Sequence, residues 1–542
     1  MFDSIKRKIL EENKKGKVIS EKDYGNNNEK VEPKSDGISE KTELSDLKLV
    51  KSLEKNITLI KQIFSDDATL ITRRFENKNR KSAKCCIFYI IGMVNVDIIN
   101  KSIIKPVLEN EMTEDISFNH LLEDMKNKII EANEVKELSD LEEIITSVTY
   151  GDTLFLLDGY DKALVIDTKG WKVRAVTEST SEKTVRGPRE CFTEAILVNL
   201  SLIRRKLKTP DLKFVFKDIG RRTKTKVCMC YLESIASPQI IAELNKRIET
   251  IDIDGILDSG YIQEMIKDSP LSPFKTIGNS ERPDVVVAKL LEGRIALIVD
   301  GTPDVLTLPY VFIEYFQSNE DYYNNFIYAS FVRIIRIIGA IITISVPAVY
   351  VALITYHQEL IPTPLLLSIS ASIQGTPFPT IVEAMVLLFA FDMLREAGTR
   401  MPTAVGQAVG IVGALVLGQA AVEAKFVSAP MVIIIALAGI SSLALPKMVG
   451  ASITIRLIFL VLAASLGLYG FIFGVIGLLI YLFSMRSFGV PYMLSLVISD
   501  RQYNKDTLIR SPWWYMSLRP KLIAVKNSIR KSDSKFKGEN QQ

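Results

Sequence analysis

Apolar residues are spread unevenly along the chain, and the unevenness divides it in two. Up to about residue 327 they come in short stretches broken by charge; beyond it they run in long uncharged blocks. Leu53 to Phe64 and Leu121 to Asn133 repeat apolar positions at helical spacing. Cys85 to Val94, Gly151 to Asp158 and Ala163 to Asp167 alternate or cluster as strands do. These elements predict an α/β unit over residues 48–180. A second unit, over 181–327, is predicted from helices at Thr193–Lys206 and Pro238–Ile248 and strands at Lys213–Phe216 and Lys226–Leu232. A later strand pair, Arg294–Asp300 and Val305–Leu308, is turned by Gly301-Thr302-Pro303. No register aligns the two units as an internal repeat.

In the second half, Ile337 to Thr355 and Leu457 to Met485 carry no charged residue. Uncharged apolar runs of roughly 18 residues or more read as membrane-spanning helices. Candidate spans are 333–355, 379–398, 403–422, 429–446 and the stretch 457–485. As one helix that last stretch would be about 43 Å long, too long for a hydrocarbon core of about 30 Å. Gly467, Gly470, Gly474 and Gly477 can break it into a tight hairpin of two short spans. Charge supports this count. Arg333 and Arg336 precede the first span, while Arg395 with Arg400 and Lys447 with Arg456 fall in alternate loops. The tail from 486 to 542 has eleven Lys/Arg against four Asp/Glu and belongs on the cytoplasmic side. Both ends inside requires an even number of spans, and six fits best; five remain if the charged stretch 379–398 is re-entrant. Leu365 to Ile373, between proline-rich flanks, is too short to span and reads as interfacial or re-entrant. The fold class is thus an α/β cytoplasmic N-terminal half in two subdomains followed by an all-α polytopic membrane domain (328–486) and a basic cytoplasmic segment (487–542).

Composition refines the picture in three places. Residues 1–46 hold ten Lys/Arg and eleven Asp/Glu with hardly an aromatic, which predicts a disordered charged tail over 1–47. No signal peptide follows Met1, and five cysteines without C-x-x-C spacing fit a reducing cytoplasm. A net charge of +4 over 542 residues does not suggest a nucleic-acid partner. Phosphate-loop, dinucleotide, H-E-x-x-H and G-x-S-x-G motifs are absent, and the two histidines, His120 and His357, lie far apart in sequence. No enzyme and no cofactor are expected. Cys228 and Cys230, two apart on a strand, read as core packing rather than ligands.

Polar residues within the spans are the informative ones. Glu383 and Asp392 lie in the second span, Gln407 and Gln419 in the third, with Glu423 at its end. A charge in hydrocarbon costs about 2.5–3.5 kcal/mol on insertion scales, so these groups should face protein or water. They are candidates for a cation path. The alternative is a structural ion pair, such as Asp392 with Arg395 or Arg456. Gly406, Gly410, Ala414 and Gly418 put small residues on one ridge, where another helix can approach closely. In the soluble half, Arg186 and Arg189 flank a Gly-Pro turn and Arg204-Arg205 follow on a helix. Either set is a ligand or subunit contact, or a solvated face with local ion pairs. Trp513-Trp514-Tyr515 reads as an interfacial anchor or as packing of a C-terminal element.

Several blocks together resemble one family. Val185-Arg186-Gly187-Pro188-Arg189-Glu190-Cys191-Phe192-Thr193-Glu194, Ser272-Pro273-Phe274, Ser280-Glu281-Arg282-Pro283-Asp284 and Leu291-Glu292-Gly293-Arg294 are similar to motifs of the A subunits of bacterial spore germination receptors, the GerA family. So are Gly375-x-Pro377-Phe378-Pro379, Leu394-Arg395-Glu396-Ala397-Gly398, Gly418-Gln419-Ala420-Ala421-Val422 and Arg486-Ser487-Phe488-Gly489-Val490-Pro491-Tyr492. The resemblance covers about residues 50–520. It departs at Lys275, where proline is usual, at Pro364, and at Ile373-Gln374. It implies a multi-pass subunit of the spore inner membrane with both termini cytoplasmic. It also implies partnership with a transporter-like B subunit and a lipoprotein C subunit, and assembly in membrane lipid into a homo-oligomeric nutrient-gated cation channel. Within the matching blocks, Arg186, Arg189, Glu194, Glu281 and Arg282 are candidates for subunit or domain coupling. A non-conducting scaffold and a secondary transporter stand as alternatives.

Overall fold

The computed structural model describes residues 47–80, 83–110, 121–132, 134–171, 182, 184, 186–401, 413, 416, 418–494, 506–520, 522–524 and 526–530. Two five-stranded sheets organise its first half. The first contains β1 (Leu70–Glu76), β2 (Lys84–Ile90), β3 (Val135–Leu138), β4 (Thr153–Leu157) and β5 (Ala163–Ile166), in the spatial order β1-β2-β4-β5-β3. The second contains β6 (Leu212–Ile219), β7 (Thr225–Leu232), β8 (Gly278–Ser280), β9 (Ile295–Val299) and β10 (Val305–Leu308), in the order β6-β7-β9-β10-β8. Every pairing is antiparallel. Helices α1 (Leu53–Ile63) and α2 (Leu141–Thr149) lead into the first and fourth strands of the first sheet. In the second unit α3 (Ile196–Lys206) leads into the first strand. Then α4 (Pro238–Glu249) and α5 (Ser259–Met265) follow the second strand, and α6 (Pro283–Leu291) leads into the fourth. The two units therefore share one strand order. No sequence register aligns the two units, yet pairing topology is retained where residue identity is not.

Strand burial explains the layout. β4 and β9 are buried at every position, as central strands covered on both faces must be. β1 lies at an edge, and its exposed Arg73 and Arg74 discourage pairing with another chain. Boundaries shift for local reasons. The helix expected from Thr193 begins at Ile196 because Asn199 folds back. Its Oδ1 accepts the Thr193 N–H at 2.7 Å and its Nδ2 donates to Thr193 O at 2.6 Å. Arg204, one of the pair read as a possible solvated face, is buried. It donates to Asp67 Oδ2 at 2.5 Å and stacks 4.7 Å over the Phe214 ring, tying the first unit to the second.

The apolar helices follow. They are α7 (Phe326–Tyr356), α8 (Thr363–Ile373), α9 (Thr380–Arg400), α10 (Ala429–Leu443) and α11 (Val449–Ser484). By length and composition, Phe326–Tyr356 and Pro446–Ser484 are long and apolar enough to cross a membrane. The second is not straight. Gly467 takes φ 61° and ψ −145°, and the chain folds back on itself so that Phe459 meets Phe471 with ring centroids 5.5 Å apart. A Cβ at Gly467 would lie 2.7 Å from His357 Cε1, so the hairpin apex sits against the C-terminal end of α7. Each arm of about 18 residues is about 27 Å long, close to the hydrocarbon thickness. The glycine-rich hairpin expected from the sequence is present. Arg456, expected in a loop, instead lies inside α11 and is buried. Arg333 and Arg336 lie inside α7. Most of the span expected at 403–422, with Gly406, Gln407, Gly410 and Ala414, lies outside the described residues. So does His120.

The chain then returns to the α/β half. A short hairpin of β11 (Arg486–Ser487) and β12 (Val490–Pro491) follows α11. Phe488, Val490, Leu494 and Ile523 join the core between the second sheet and α4 and α5, and Ala524 joins the core on the α3 side. The C-terminal segment is thus part of the second unit's interior.

Candidate functional site

Glu383 lies in the first turn of α9 and is 1% exposed. Its Oε2 accepts the Ser428 backbone N–H at 3.0 Å and the Ser428 hydroxyl at 2.9 Å. Ser428 is the N-cap of α10, so one carboxylate stands at the N-terminal ends of two helices, where the aligned peptide dipoles favour negative charge. Its Oε1 is buried with no partner among the described residues. Asp392, further along α9, is differently placed. Its Oδ1 accepts from Arg395 Nη2 at 2.9 Å and its Oδ2 from Arg456 Nη2 at 2.8 Å, so it bridges α9 to α11. Both arginines weighed as ion-pair partners for Asp392 are engaged.

The other expected path residues are not gathered there. Gln419 and Glu423 are exposed, and among the described residues no hydrogen bond or ion pair joins them to Glu383 or Asp392. Gly418 does face a helix, since a Cβ there would lie 3.6 Å from Val432 of α10. The closest approach in this region involves Gly439 of α10, where a Cβ would fall 2.6 Å from the Phe391 ring of α9.

At the junction between the α/β and apolar halves lies a charge network that sequence reasoning missed. Arg333, fully buried in α7, contacts Asp321 Oδ2 at 3.3 Å and Asp506 Oδ1 at 2.9 Å. Arg336, one turn on, reaches both Asp321 oxygens at 2.9 Å, and the Tyr322 hydroxyl donates to Asp506 at 2.6 Å. Burial pushes the Asp506 carboxyl up, with Arg333 opposing it. The available signal was a pair of arginines three apart on an otherwise apolar helix. They had registered only as topology markers.

The expected coupling residues divide. Arg282 is buried. It makes two bonds to Asp284, at 2.8 and 3.1 Å, and a third to Pro188 O at 3.0 Å. Glu281 O accepts the Phe192 N–H at 2.8 Å. Gly187, at φ +132°, packs so tightly that a Cβ would sit 2.8 Å from the Tyr323 ring. Glu281 and Arg282 are therefore clasped by the 187–192 loop, whereas Arg186, Arg189 and Glu194 are exposed. Burial pushes the Asp284 carboxyl up, but bonds from Arg282 and Tyr323 outweigh it and hold it below the usual range. Glu314 behaves alike: burial raises it, and Arg294 and Lys289 bring it below. Among the described residues no group of three His, Cys, Asp or Glu side chains gathers as a metal site. All five cysteines are free. Cys228 and Cys230 are packed in one core, and burial pushes both thiols up.

Comparison with known proteins places these features in context. A family model described as Bacillus/Clostridium GerA spore germination protein matches residues 58–522. Spore germination protein KA of Bacillus subtilis (strain 168) is 41% identical over 481 residues, which is 88% of this chain and 88% of that protein. The uncharacterized membrane protein YfkQ of the same organism is 40% identical over 475 residues, 87% of this chain and 90% of that protein. Spore germination protein B1, also from Bacillus subtilis, is 32% identical over 500 residues, 89% and 100% of the two chains. A solved structure also matches, the N-terminal domain of the A subunit of the Bacillus megaterium spore germinant receptor GerK3. It is 34% identical and covers 49% of this chain and 98% of that one, with a TM-score of 0.40.

Proposed function

Because this chain belongs to the GerA family of spore germination proteins, we propose that it is the A subunit of a nutrient-responsive germination receptor whose copies assemble into a gated cation channel. In this reading the apolar half crosses the spore inner membrane six times with both termini cytoplasmic, and the α/β half couples it to a transporter-like B subunit and a lipoprotein C subunit. The observation that carries the conducting role is Glu383. A carboxylate buried among apolar helices, with one oxygen capped by Ser428 and the other without a partner, is a group able to attract a dehydrated cation. Asp392 favours a second reading. Held by two arginines, it is already neutralised, which suits a rigid scaffold that assembles partners without conducting.

The test is potassium efflux and membrane potential in non-sporulating cells expressing this chain with its B and C partners, before and after nutrient addition. Wild type is compared with Glu383→Gln and Asp392→Asn at matched protein levels. Nutrient-triggered flux that Glu383→Gln abolishes supports conduction through this subunit. An assembled, inserted complex that passes no current supports the scaffold.

A further inference from the structure

Between the second α/β unit and the connection from α10 to α11 lies a cavity of about 370 Å³, lined among others by Glu182, Lys275, Asn279, Asp304, Tyr310 and Lys447. Its acids are satisfied. Glu182 accepts from the Ser280 hydroxyl at 2.5 Å, and Asp304 accepts from Asn279 Nδ2 at 3.0 Å. Lys289 pairs with Glu314, but the other two ammonium groups are less well served. Lys275 Nζ donates to the neutral Asn279 Oδ1 at 3.1 Å, and among the described residues no carboxylate closes an ion pair with it. Lys447 reaches Glu182 only at 3.6 Å, beyond hydrogen-bonding distance. The Tyr310 hydroxyl in the same wall is buried with no partner among the described residues.

The lysine is also held in place. Its backbone N–H donates to the Tyr315 hydroxyl and its carbonyl accepts from the Tyr492 hydroxyl, both at 2.7 Å, so the loop position is fixed before any ligand arrives. Burial, and then the neighbouring charge of Lys447, lower the Lys275 ammonium's pKa. An anion set between the two lysines would relieve that repulsion and supply the charge-assisted bonds both lack. Burial pushes the Asp304 carboxyl up, which lessens its opposition to an incoming negative group.

We propose that this cavity binds a small oxyanion, the phosphate or carboxylate of a free solute or of a lipid headgroup, clamped between Lys275 of the α/β unit and Lys447 of the α10–α11 connection. Occupancy would reinforce a junction that the Lys447–Glu182 pair, at 3.6 Å, closes only loosely. The inference concerns a site separate from Glu383 and holds whether or not the chain conducts.

Full-length chain in phosphatidylcholine nanodiscs is titrated with inorganic phosphate and with succinate at constant ionic strength, using calorimetry and the thermal midpoint. Saturable binding is expected. Lys275→Ala and, independently, Lys447→Gln should each weaken it about ten- to hundredfold, the loss of one charge-assisted bond, while Lys275→Arg retains it. If phosphatidylglycerol nanodiscs raise the midpoint through the same lysines and abolish the phosphate titration, the headgroup is the occupant. No saturable binding of either probe with no lipid-dependent shift overturns the proposal. So does binding indifferent to both lysine substitutions.

Discussion

Asp392 offers the sharpest energetic test. At 2.8 Å from Arg456, with an effective dielectric near 20, the gross attraction is about 6 kcal/mol, most of which offsets the cost of taking both charges out of water. Removing the two partners is not symmetrical. Arg456→Met leaves Asp392 still bonded to Arg395 and loses one charge-assisted bond, about 1.5–3 kcal/mol. Asp392→Asn instead leaves two guanidinium groups, one of them buried, facing each other without a counter-charge. The expected loss is about 3–5 kcal/mol. The double variant removes one of the opposed cations, so its loss should fall short of the sum by about 1–2 kcal/mol. Unfolding midpoints of the purified chain in detergent, titrated with sodium dodecyl sulfate, measure all three. If Asp392→Asn proves no worse than Arg456→Met, or the effects add, the bridge does not hold α9 to α11. Measured beside ion flux, the double variant relieves part of the guanidinium repulsion while leaving no carboxylate at 392, so flux lost equally in it and in Asp392→Asn does not stem from that repulsion.

Other expectations follow from single contacts. Gly467→Val places a branched side chain in the left-handed region, with its Cβ about 2.7 Å from His357, and should disrupt the hairpin. On the proposed membrane topology, a cysteine introduced at Ser484 should then lose its one-sided reaction with membrane-impermeant thiol reagents. Arg204→Met leaves Asp67 buried and unpaired and should lower stability by about 3–5 kcal/mol, with Asp67→Asn added in the same chain recovering part of it in a denaturant titration. Asp284 and Glu314 are both held below their ordinary values, so each contributes stability present above about pH 4 and lost as pH falls through its folded value. Asp284→Asn should therefore flatten the acid limb of a plot of thermal midpoint against pH, and an unchanged limb would contradict that assignment.

Much of the secondary structure was legible because alternation and glycine placement are local signals. β5 and β10 fall within a residue of expectation, and the α11 hairpin could be read from four glycines. What escaped depends on contacts between residues distant in the chain. Arg333 looks like a topology marker until Asp321 and Asp506, the latter distant in the chain, are found beside it. Arg204 looks solvated until Asp67 is found beneath it. The shared strand order of the two units leaves no trace in residue identity, since a strand needs only the right alternation and not a particular residue. Phe488 stands alone between Ser487 and Gly489, and Ile523 and Ala524 lie in a run of only four apolar residues within a basic segment, too short a pattern to mark them as core.

That last feature has a bearing on biosynthesis. The second unit's own strands are complete when Leu308 leaves the ribosome, yet Phe488 comes about 180 residues later, after every apolar helix has been made. At translation speeds of about 5–20 residues per second this is a delay of roughly ten to forty seconds. Throughout it, the surface awaiting Phe488, Val490 and Ile523 stays uncovered, a target for chaperones and proteases. A chain cut short before Phe488 cannot deliver those residues and remains marked. The C-terminal segment thus makes completion of the α/β core conditional on synthesis of the whole apolar half, an inspection step written into the order of the chain.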